Sequence, residues 1–115
     1  MELNERLVCF AAETLILMNQ KEFSHLPETM RIQLIKSSSS PGANYEEAQT
    51  ASSRSDFHQK CKISLRELRE TNYWLRVIIK TGMGDERLNK LLKESIELIK
   101  IFVTICKKTD PQFKK

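Results

Sequence analysis

The chain has 115 residues, with 40% hydrophobic and 30% charged side chains and a formal net charge of +4. That balance excludes a disordered polyampholyte and a membrane-spanning protein, and the length fits one ordinary domain. Three glycines and three prolines are too few for a turn-rich β protein, so an all-helical soluble domain is expected.

The amino terminus, MELNERLVCF, has acids where a secretory signal needs a basic start. No apolar run approaches a membrane span. Cys9, Cys61 and Cys106 are odd in number, far apart and never in a CxxC pair. Reduced thiols in a cytoplasm are the expectation, without a structural metal.

Residues 3–23 carry an apolar stripe, Leu3, Leu7, Phe10, Thr14 and Leu17, at helical spacing. A second apolar set, Val8, Ala12, Leu15 and Ile16, lies on the other side. One core does not use both faces, so the second set is assigned to an oligomer interface. Pro27 is placed to open the next helix.

The stretch SSSSPGAN at 37–44 has the composition of a linker. Yet Leu34, Pro41 and Ala48 are seven residues apart, so the helical phase survives it. Residues 28–52 are therefore expected to form one helix, kinked at Pro41, against the alternative of a loop at 37–43. Ser55 or Asp56 is expected to cap a third helix over 56–81, which ends at Gly82. Its inner face is read as Phe57, Cys61, Ser64, Leu65, Leu68, Asn72, Leu75 and Ile79, with His58 on an outward flank. Asp85 caps a fourth helix over 86–108, with Leu88, Leu91, Leu92, Ser95, Ile99, Phe102 and Cys106 inward. Leu98, Ile101 and Ile105 widen that arc and join the expected oligomer interface. Pro111 and the closing lysines read as a frayed tail. Short connections favour an antiparallel up-down-up-down four-helix bundle.

The run GANYEEAQTASSRSDFHQKCKISLRELRETNYWLR resembles a small bacterial family encoded in intervening sequences of large-subunit ribosomal RNA genes. Ala43, Asn44, Glu46, Glu47, Ala48, Asp56, Phe57, Lys60, Leu65, Glu67, Arg69, Glu70, Thr71, Tyr73, Trp74, Leu75 and Arg76 carry the likeness. Leu68 and Asn72 depart from it, standing where Ala and Arg are the pattern. The resemblance implies antiparallel four-helix bundles assembled as rings, typically pentamers. A related branch is the accessory protein of diversity-generating retroelements, which implies RNA or a reverse-transcriptase-like protein as partner.

Catalytic patterns are absent. Glutamates 46, 47, 67, 70, 94 and 97 invite a di-iron reading, but that chemistry needs Glu-x-x-His on two helices. His25 and His58 do not supply it. No GxSxG elbow or phosphate loop occurs. A non-enzyme without cofactors or metal is expected. Asn44 and Glu47 on the second helix could face Glu67 and Glu70 on the third as a polar network that sets register.

Charge is divided unevenly. Residues 1–53 hold four basic against seven acidic side chains, and residues 54–115 hold fifteen against eight. Lys62, Arg66, Arg69, Arg76 and Lys80, with Tyr73 among them, fall opposite the core face of the third helix. Cations with an interleaved aromatic suit a phosphate backbone and stacked bases. Two readings stand from the sequence: a ring associated with RNA or ribonucleoprotein, and a homo-oligomeric protein–protein scaffold.

Overall fold

A computed structural model describes residues 1–112, and among these the ordered elements are all helical. They are α1 (Leu3–Met18), a short 3-10 turn (Lys21–Phe23), α2 (Glu28–Ala48), α3 (Arg54–Lys80) and α4 (Glu86–Thr109). Together they form a four-helix bundle. α2 packs on α1 and α3, and α3 packs on α4, while α1 meets α4 only sparsely. The start of α1 lies beside the end of α2, where Asn4 donates to Glu46 and Gln49. The start of α3 lies beside the end of α4, where Arg54 donates to the carbonyls of Lys108 and Thr109.

A single sequence period of three and a half residues sets the core. Buried positions advance by alternating steps of three and four: Leu7, Phe10, Thr14 and Leu17 on α1; Leu88, Leu91, Ser95, Leu98 and Phe102 on α4. On α3 the same steps run through Cys61, Ser64, Leu68, Thr71, Leu75 and Ile78. Helices with this repeat keep one seam facing their neighbours along their whole length. Tyr45 closes on Phe102 edge-to-face, with ring centres 5.5 Å apart.

α1 stops five residues before the expected end. Continued in phase, the helix would turn Lys21 and Ser24 inward. Instead Gln20 adopts an extended conformation and the chain turns, which buries Phe23 and Leu26. α2 runs unbroken through Pro41, so the loop alternative at 37–43 falls away. Its serines satisfy themselves within the helix: Ser37 Oγ donates to Leu34 O, and Ser38 and Ser39 Oγ to Ile35 O. α2 ends at Ala48 and α3 begins at Arg54, because Ser53, rather than Ser55 or Asp56, accepts the capping bond from Asp56 N at 3.0 Å. Gly82, at φ +96°, terminates α3, and Asp85 caps α4 by accepting from Arg87 N at 2.8 Å. Pro111 and Gln112 lie in a turn; the closing Lys114 and Lys115 lie outside the described residues.

Candidate nucleic-acid interface

Period determines where the cations of α3 go. Lys62, Arg66, Arg69, Tyr73, Arg76 and Lys80 also advance by steps of four and three. They therefore run parallel to the buried seam, displaced from it by roughly 150° around the helix at about 100° per residue. All six are exposed. From Lys62 to Lys80 the stripe spans about 27 Å at 1.5 Å per residue.

The charges on this stripe are largely uncompensated. Arg66 lies 3.8 Å from Glu67, a weak exposed contact. Among the described residues Lys62, Arg69, Arg76 and Lys80 pair with no carboxylate. Arg76 is held instead by a neutral relay. Its Nε donates to Asn72 Oδ1 at 2.8 Å, Asn72 Nδ2 donates to Ser95 Oγ at 3.0 Å, and Ser95 Oγ donates to Leu92 O at 2.7 Å. The guanidinium keeps its full charge while losing much of its freedom. It also sits 6.0 Å over the Tyr73 ring. Tyr73 meets Trp74 at 5.2 Å between centres, and the Trp74 indole N–H donates to Glu70 at 3.2 Å. A shallow groove lined by Tyr73, Arg76, Val77, Lys80 and Leu92 follows the stripe toward α4.

The polar network expected of Asn44, Glu47, Glu67 and Glu70 does not form. Asn44 spends its amide on Ser40 of its own helix. Glu47 is exposed and pairs with Lys60 at 3.0 Å, Glu67 faces Arg66, and Glu70 takes the indole of Trp74. The buried polar contacts between helices are made by hydroxyls instead. Thr71 Oγ1 and Ser37 Oγ share a bond of 2.9 Å, and Ser64 Oγ donates to Pro41 O at 2.9 Å. Asn72 proves to be a bridge to α4 and not a core residue. Thr71 and Ile78 take the buried phase expected of Asn72 and Ile79.

His58, expected on an outward flank, is buried with Nδ1 3.1 Å from Thr109 Oγ1. Thr109 Oγ1 already donates to Ile105 O, so the imidazole N–H is the donor between the two. His25 is exposed in the turn before α2. Among the described residues no group of three or more His, Cys, Asp or Glu is placed to hold a metal ion. No described helix is long and apolar enough to cross a membrane.

Of the side chains assigned to an oligomer interface, Val8 (52%), Leu15 (45%) and Ile16 (61%) are exposed on α1, as is Ala12. A groove of small residues, with Ala11, Ala12, Gly42 and Ala43, runs beside Val8 and Leu15 between α1 and α2. Ile101 and Ile105 are half-buried. Leu98 is a correction: it is fully buried within the bundle, because it continues the Leu88–Leu91–Ser95 seam. On the opposite side of α1, Arg6 reaches across to Glu94 with two bonds of 3.0 and 2.8 Å, spanning the sparsely packed seam with α4.

A family model described as 23S rRNA-intervening sequence protein matches residues 9–104. One similar solved structure is the crystal structure of a protein with unknown function from the S23 ribosomal protein family of Bacteroides thetaiotaomicron VPI-5482. It aligns at a TM-score of 0.80 with 32% sequence identity, over 90% of this chain and 97% of that one. No curated protein matches the chain.

Proposed function

We propose, from the premise that this chain belongs to the 23S rRNA-intervening sequence protein family, that it is a non-catalytic RNA-associated protein. It assembles as a homo-oligomeric ring and holds RNA against the basic face of α3. The observation that carries this reading is the stripe itself. Five exposed cations share one straight face, and four of them have no carboxylate partner among the described residues. Uncompensated positive charge condenses onto phosphates by releasing their counterions. Repetition around a ring multiplies a weak site into avidity.

Salt dependence tests the reading. With five phosphate contacts, log K should fall against log salt with a slope of about −4. RNAs of unrelated sequence should behave alike, since phosphate contacts carry no sequence information. A flat salt response, or no binding at low salt, would contradict it.

A second reading, a protein–protein scaffold without RNA, is favoured by the exposed Val8, Leu15 and Ile16. Apolar exposure of that kind marks a docking surface. In the first reading the same surface joins the subunits of the ring.

A further inference from the structure

We infer that the RNA this face takes is base-paired, gripped by its backbone, and not a single strand stacked on aromatic side chains. The inference rests on the RNA reading above and narrows it to one class of ligand. Its basis is what surrounds the one aromatic side chain on the stripe.

Single-strand binders combine a basic track with several stacking platforms, because stacking offsets the cost of ordering a flexible strand. Here Tyr73 is the only exposed aromatic among the described residues. The Arg76 guanidinium lies over its ring at 6.0 Å, and Trp74 meets it at 5.2 Å with the planes 69° apart. Trp74 is itself half-buried and tied to Glu70. Tyr45 is occupied with Phe102 inside the bundle. A base arriving at Tyr73 would have to displace a cation that is fixed by Asn72 and Ser95. The aromatic thus serves to orient Arg76 and not to receive a base.

What remains is a nearly straight row of cations about 27 Å long, carried on one continuous helix and with Arg76 held in place by Asn72. A straight row matches a ligand whose phosphates are already held in a lattice. Duplex RNA offers that, and proteins recognise it mostly through shape, phosphates and 2′-hydroxyls. Counterion release per contact is also larger for a duplex, about 0.9 against about 0.7 for a single strand. A single strand would have to be straightened along the row with nothing stacked to offset the lost entropy.

The experiment compares an RNA hairpin stem with an unstructured uridine-rich strand of equal length, at equal salt, on the full chain. The expected result is at least tenfold tighter binding of the stem. Tyr73→Ala should change stem affinity by less than threefold, and Arg69→Gln with Arg76→Gln should reduce it at least tenfold. Equal or tighter binding of the single strand, or a tenfold loss of its binding on Tyr73→Ala, would overturn the duplex assignment while leaving the RNA reading intact. Failure of both RNAs to bind would overturn the two together.

Discussion

Asn72 is the residue through which the core reaches the surface. Its amide touches Ser95 on α4 and its carbonyl oxygen orients Arg76 on the stripe. Cys61 shows the opposite case, a group whose chemistry the core suppresses. Burial first, and the neighbouring Cys106 second, push the Cys61 thiol up from 9.0 to about 11. The neutral thiol is the native form, so its contribution to stability is fully present below pH 9.0 and lost as pH rises from there toward about 11. Burial also raises the Tyr45 hydroxyl, in the same direction. The urea midpoint is therefore expected to fall between pH 8.5 and pH 11, with a shallower fall in Cys61→Ala; a midpoint independent of pH across that window would contradict this. The cations of the stripe were legible in sequence because charge and period coincide there. Thr71 and His58 were not, although Ser64 was read correctly on the inner face of α3. A polar residue at a buried phase reads as a flank until the partner that satisfies it is known. For Thr71 that partner is Ser37, thirty-four residues away.

At the scale of helices, α2 shows how phase outweighs composition. Pro41 interrupts the backbone bonding of a 21-residue helix, yet Leu34, Pro41 and Ala48 all point into the core. Proline in a helix interior costs about 3 kcal/mol relative to alanine, partly offset here by its own burial. Pro41→Ala is expected to stabilise the fold by roughly 1–2 kcal/mol, read as a higher denaturation midpoint. A lower midpoint would mean that α3 depends on the proline's shape. The next residue behaves differently. A Cβ on Gly42 would lie 3.3 Å from Leu7 Cβ, so α1 and α2 approach closely there. Gly42→Leu would crowd Leu7 and should cost about 2 kcal/mol by pushing α1 and α2 apart. Helix type and the continuity of α2 could be read from periodicity. The end of α1 could not, because burial of Phe23 and Leu26 outweighs the local preference to continue. Leu98 was misassigned for a related reason. An apolar arc wider than one stripe does not reveal which edge faces the core, and the three-and-four stepping of α4 places Leu98 inside.

At the scale of the whole molecule, two surfaces divide the work proposed for it: an apolar α1 face that joins subunits, and a basic α3 face that meets RNA. The competing account has Arg69 and Arg76 paired with glutamates of a neighbouring subunit, which would make the stripe part of the assembly. The two accounts separate in one measurement, in which RNA affinity and particle mass are determined on a single preparation of the Arg69→Gln, Arg76→Gln protein beside the wild type. If the stripe holds RNA, the double variant keeps the particle mass of the wild type, several subunits at micromolar concentration, while RNA affinity drops at least tenfold and the salt slope flattens by about 2. A particle that falls apart before RNA binding changes, or RNA affinity unchanged in an intact particle, would contradict the claim.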